Sequence, residues 1–171
     1  MRTVMVLALL TCAVLAGCSG SAQTSSFRKP GVVVDLSAPA VVLSDQMGMS
    51  QDMPFLDILS TQLLGKGMNL MDRSTLRGIL KEKGLNWNDI VSGQQYFQIG
   101  TASPVKTIII VNAQMMGQMV AKATCRVLDA TSGTMLMSMN VTNPAPYQPM
   151  YLGNKSTARI AEEWAEEITG H

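Results

Sequence analysis

The spacing of apolar residues changes several times along the chain, and each change predicts an element. Val32-Val33-Val34 and Val41-Val42-Leu43 are apolar runs on either side of Pro39, so Gly31 to Leu43 predicts a broken β-segment rich in β-branched residues. Phe55, Ile58, Leu59 and Leu63 recur at helical spacing, with Asp52 placed to cap the helix, Pro54 tolerated in its first turn, and Gly65-Lys66-Gly67 ending it. Met68 to Met71 predicts a short strand. Ser74 or Thr75 would cap a second helix that turns Leu76, Ile79 and Leu80 inward and stops at Gly84. Leu85 to Ile99 shows no clear period and fits either a loop or a short third helix.

The second half has a plainer pattern. Val105 to Val111 is apolar on both faces, as a strand inside a sheet should be. From Val120 to Leu128 the chain alternates, with Lys122, Thr124 and Arg126 opposite Ala121, Ala123, Cys125 and Val127. The turn Asp129-Ala130-Thr131-Ser132-Gly133 leads to a second alternating strand. There Met135, Met137, Met139 and Val141 share the face assigned to the core. Asn143 to Gly153 is Pro-rich and predicts irregular chain. A closing helix follows, with Ala161, Trp164, Ala165 and Ile168 inward and Glu162, Glu163, Glu166 and Glu167 outward. That acidic face is either solvated or a docking surface.

The first residues follow a different rule. Arg2 makes a positive start and Val4 to Leu15 an apolar core too short to span a bilayer. Leu15-Ala16-Gly17-Cys18 then closes the segment with small residues and a cysteine. This resembles the bacterial lipobox, which implies cleavage before Cys18 and diacylation of its thiol. Ser19 next to it, where an Asp would favour inner-membrane retention, resembles an outer-membrane lipoprotein. The expected organisation is therefore a signal peptide over 1–17, a lipidated Cys18 with a flexible Ser-rich tether over 18–30, and a periplasmic α/β domain over 31–171. The tether from Ser19 to Lys29 would reach about 40 Å at full extension.

Composition narrows the function. The chain has 171 residues and a formal charge of +1, so no net field recruits nucleic acid. Its only His is the last residue, which argues against His-based catalysis or a His metal site. Of three cysteines, Cys12 leaves with the signal peptide and Cys18 carries lipid, so Cys125 has no partner for an intrachain disulfide. Cys125 reads as a buried small hydrophobe, with a reactive thiol as the alternative. No Ser/His/Asp arrangement, phosphate loop or paired-Cys zinc spacing occurs. Asp35, Asp45, Asp52 and Asp57 read as turn and cap residues. No catalytic residue, cofactor or enzyme activity is expected.

The 14 methionines raise one other chemistry. Met47 and Met49, the run Met115-Met116-Gly117-Gln118-Met119, and Met135, Met137 and Met139 resemble thioether clusters that hold Cu(I). The same residues also serve as flexible core filler or as an adaptable protein-binding surface.

The order of elements, and the segments MDRSTLRGILKEKGL, VKTIIIVNA and ATCRVLDATSGTMLMS, resemble the curli-assembly (CsgG-like) lipoproteins. Relatives of that family include a flagellar outer-membrane lipoprotein and a lipoprotein activator of penicillin-binding proteins. The resemblance covers most of Gly31 to Thr142 and implies a mixed β-sheet with helices packed on it. Asn112 to Val120 and Val141 to Lys155 stand where the secretion channel inserts its barrel hairpins, and both are too short to supply a pair of spanning strands of about 9–11 residues each. The implied role is that of a non-pore member. It would be a lipid-anchored assembly or accessory factor on the periplasmic side of the outer membrane, working through envelope protein partners, with a homo-oligomer as one form it could take. The alternatives are a lipoprotein regulator of a penicillin-binding protein and a periplasmic Met-rich copper binder.

Overall fold

The computed structural model describes residues 20–44, 53–92, 94–148 and 151–170. The signal peptide, Cys18, Asp45, Met47, Met49 and Asp52 lie outside them. Five strands form one mixed sheet in the order β1-β5-β4-β3-β2. They are β1 (Gln23–Arg28), β2 (Ala40–Ser44), β3 (Thr107–Met116), β4 (Met119–Asp129) and β5 (Met135–Thr142). Among the described residues only β2 and β3 run parallel, and the connection between them carries four helices: α1 (Met53–Gly65), α2 (Arg73–Glu82), α3 (Trp87–Ser92) and α4 (Phe97–Ala102). The last helix, α5 (Thr157–Thr169), returns across the sheet.

Two apolar layers follow from the alternation of the strands. On one face Ile109, Val111, Val127, Met137, Met139 and Val141 pack under α1 and α5. Phe55 of α1 meets Trp164 of α5 edge to face, with ring centroids 5.3 Å apart. On the other face Val41, Leu43, Ile108 and Ile110 pack under Leu76, Leu80, Ile90 and Ile99 of α2, α3 and α4. This explains why the middle of β3 is apolar on both sides.

The central strand, the hairpin, the first helix and the closing helix stand where the periodicity places them. The hairpin turn is held by Asp129, whose carboxylate accepts from the Thr131 N–H at 3.0 Å and the Ser132 N–H at 2.7 Å. Gly133 takes the left-handed conformation, φ 68°, that closes the turn.

Several expectations are corrected. Val32 to Val34 is not a strand, and Val33 is 86% exposed. The chain turns at Gly31 (φ 75°), and pairing begins only after Pro39, whose carbonyl accepts from the Lys106 N–H at 2.7 Å and sets Ala40 beside Thr107. The Ser-rich stretch expected to be a tether through Lys29 instead forms β1 over Gln23–Arg28, paired antiparallel with β5. All but Phe27 of its residues are polar, because a sheet edge leaves them in water, so period-two burial gives no sign of it. Met68 to Met71 contributes a single parallel bridge, Leu70 to Ala40. The cap of α2 is Asp72, not Ser74 or Thr75; its carboxylate accepts from the Ser74 N–H at 2.8 Å and the Thr75 N–H at 3.2 Å. The ambiguous stretch after Leu85 holds two short helices. A register shift between Gln114 and Met115 leaves Ala121 half-buried rather than on the core face. Met135 is 44% exposed, because a second shift between Val127 and Leu128 takes it out of line with Met137 and Met139.

Candidate functional site

The residues singled out for chemistry do not converge. Cys125 is fully buried under α1 and α5, and burial pushes its thiol well above its ordinary range, so the reactive-thiol alternative fails. Met137 and Met139 are 0% and 1% exposed within the same apolar layer, where they act as core filler. With Met135 turned out to solvent, the three share no accessible face for a metal. Asp35 accepts from Ser37 in a local turn at 2.9 Å, and Asp57 pairs with Arg73 at 2.8 Å. Among the described residues no three His, Cys, Asp or Glu side chains group as metal ligands.

The acidic face of α5 is largely neutralised from neighbouring elements. Glu166 meets Lys66 at 3.3 Å, Glu167 meets Arg28 of β1 at 3.8 Å, and Glu163 is bonded by Lys155 and by Arg159 at 3.1 Å. Burial pulls the Glu163 carboxyl upward, but the Lys155 and Arg159 bonds outweigh it and hold it below its ordinary value. A shallow groove between α1 and α5 is lined by Gln62, Arg159, Glu162, Glu163 and Glu166. The Arg28–Glu167 and Lys66–Glu166 pairs tie β1 and the α1 end to α5.

Two surfaces remain. The first is the half of the sheet that α2, α3 and α4 leave bare. Register places Ser25 and Phe27 of β1, Ser138, Asn140 and Thr142 of β5, and Lys122, Thr124 and Arg126 of β4 on this one face. It is a polar surface with two cations, and Phe27 is 57% exposed at its edge.

The second is one pole of the molecule, built from three segments that no pattern in the chain marks as neighbours. The tip of the β3–β4 hairpin turns at Gly117 (φ 61°). The Thr157 hydroxyl donates to the Gln118 carbonyl at 2.7 Å and binds this tip to the start of α5. Asn143, 4% exposed, joins the tip to the Pro-rich loop: its amide donates to the Val120 carbonyl at 2.7 Å and the Lys155 carbonyl at 2.9 Å, and its side-chain oxygen accepts from the Lys155 N–H at 2.8 Å. Asn154 braces the loop from within, accepting from the Ala145 N–H at 3.1 Å and donating to the Ala145 and Gln148 carbonyls at 2.6 and 3.0 Å. The third segment is the start of the described chain. Gly20 lies against Pro144 and Gly153, and the Ala22 N–H donates to the Gly153 carbonyl at 2.7 Å. A Cβ at Gly153 would run into the Gly20 carbonyl. On this braced loop Tyr147 is 69% and Leu152 101% exposed, and Met116 at the hairpin tip is 50% exposed. Two Asn residues in a Pro-rich stretch are the only sequence trace of this construction, and they read equally well as loop polarity.

No family model matches the chain, and no curated protein matches it in sequence. Solved structures are similar in fold. A PelC variant dodecamer from Paraburkholderia phytofirmans aligns with a TM-score of 0.51 at 9% identity, over 85% of this chain and 95% of that one. The C-terminal domain of LpoB from Escherichia coli aligns with a TM-score of 0.51 at 12% identity, over 67% of this chain and 87% of that domain. A lipoprotein from Neisseria meningitidis aligns with a TM-score of 0.47 at 14% identity, over 60% of this chain and 77% of that one. These identities carry the fold and no closer kinship.

Proposed function

We propose that the chain is a non-enzymatic accessory lipoprotein, anchored through Cys18 to the periplasmic side of the outer membrane, that assists an envelope or surface-appendage machine through protein contacts. The observation that carries this reading is the lipobox Leu15-Ala16-Gly17-Cys18, joined directly to a small α/β domain whose bare sheet face offers polar and cationic side chains for docking. The curli-assembly resemblance of the sequence supports the same class. The dodecameric state of a protein of this fold makes a ring of identical copies the arrangement to look for first.

The regulator of a penicillin-binding protein is the weaker reading. From Gly20 onward the chain is fastened to the body, so the reach expected of an eleven-residue tether is not there to extend toward the cell wall. The copper reading loses the Met135, Met137 and Met139 set, of which two lie in the core and one faces solvent.

Crosslinking in the native envelope, followed by purification, tests the proposal against a Cys18→Ala form. Recovery of secretion or appendage components, lost in the Cys18→Ala form, is expected. Recovery of a peptidoglycan synthase alone would replace the reading with the regulator, and an intact mature protein without acyl chains would remove the anchor.

A further inference from the structure

The Cys18 anchor proposed above, on which this inference rests, confines the start of the domain in space. Cys18 is two residues from Gly20, so the two Cα atoms lie within about 8 Å of each other. Gly20 is already seated on Pro144 and Gly153. An acylated Cys18 therefore holds Gly20, and the loop seated on it, near the lipid headgroups.

The surface delivered there has the chemistry of a membrane interface. Gly20–Gln23, the hairpin tip from Met115 to Ala121, and the loop residues 143–148 and 151–154 contain no Asp, Glu, Lys or Arg. Leu152, Tyr147 and Met116 project from it into solvent. One exposed leucine on a soluble protein is ordinary. Here exposed apolar side chains from two separate segments belong to the pole that the proposed anchor turns to lipid, and tyrosine suits a boundary that is apolar on one side and wet on the other. The Asn143 and Asn154 bonds present them on a fixed frame.

We propose that this pole rests in the bilayer surface, with Leu152 and Tyr147 entering the boundary between headgroups and acyl chains. The acyl chains supply the affinity. The loop supplies a second point of contact, so the domain is held in one orientation, with β1 leading away from the membrane and the far end of the sheet toward the periplasm.

The test uses the full lipidated protein in vesicles of phosphatidylethanolamine and phosphatidylglycerol. An environment-sensitive nitrobenzoxadiazole dye is attached at Leu152→Cys or, as the control beyond the far end of β1, at Val33→Cys. Both positions are exposed and Cys125 is buried, so neither variant threatens folding and labelling is selective. Reduction of the dye by dithionite should be at least about tenfold slower at position 152 than at 33, because an anion is excluded from hydrocarbon. Mass spectrometry of the same sample reports the acyl chains. Acylated protein with equal reduction rates overturns the inference and leaves the anchor standing. Unacylated protein overturns both. Protection at 152 in the native envelope but not in lipid vesicles overturns it in favour of a protein cover.

Discussion

Replacing Asn143 with Ala should cost more than any other single polar change in the described domain. Its side chain makes three hydrogen bonds, at 2.7, 2.8 and 2.9 Å, to backbone groups of two segments that no strand pairing joins. A buried neutral bond contributes about 1 kcal/mol net, and each backbone group left dry without a partner costs about 1–3 kcal/mol. Water entering the space vacated by the amide would satisfy part of this, so the expected loss is about 3–4 kcal/mol. For a domain of this size that is a fall in Tm of roughly 10 °C, and a large share of a typical total stability of about 5–15 kcal/mol. Urea unfolding of a soluble Cys18→Ala form, followed through Trp87 and Trp164, measures it. Asn143→Asp sharpens the argument. At neutral pH its carboxylate would face the Val120 and Lys155 carbonyls, so the loss should be at least as large. At acid pH the protonated carboxyl can donate, and part of the loss should return. A loss below about 1 kcal/mol for Asn143→Ala, with an unchanged urea slope, would refute the buried network as the element that joins the hairpin tip to the loop.

Other substitutions test the remaining contacts. Gly100→Ala places a methyl group against the Ala130 carbonyl, so a change worth up to about 1 kcal/mol of gain in an open helix should instead destabilise by about 2 kcal/mol, read as a lower Tm. Met139→Leu should cost less than about 1.5 kcal/mol, whereas Met139→Ala should cost about 2–5 kcal/mol; calorimetric titration with Cu(I) should find no binding that either change abolishes. Hydrogen bonds from the Ser132 backbone and its neighbours hold the Asp129 carboxyl below its ordinary value of 3.8. The ionised form is thus favoured in the folded state, and its contribution is present above that value and lost as the pH falls through the lower folded one. Asp129→Asn should therefore lower stability most at neutral pH and flatten the acid limb below about 4, where the two forms converge.

The parts legible in the sequence are those governed by local period and local caps. The stripe from Ala161 to Ile168, the two-sided β3 and the Asp129 turn each state their environment within a dozen residues, because burial against one neighbouring layer imposes a period on the side chains. β1 is hidden for the opposite reason. An edge strand with both faces in water needs no apolar alternation, so a Ser-rich stretch reads as a tether until β5 is seen beside it. Val33 and its neighbours show the reverse error: β-branched residues favour a strand, but nothing lies alongside to pair with them. Asp72 does not stand out as a cap in the sequence because Ser74 and Thr75 match the same preference, and only the backbone geometry chooses among them.

By itself, then, the chain determined one α/β layer structure, a consequence of short-range pattern. The tertiary structure alone decided what meets what: Cys125, Met137 and Met139 sealed in the core, Glu166 and Glu167 of α5 tied to Lys66 and Arg28, and the hairpin tip joined by Asn143 to the loop that also holds the start of the described chain. Such contacts depend on residues far apart in the chain, whose separation leaves no period to read. Leu152 and Tyr147 stand exposed on the braced pole, whose assembly no local pattern could show.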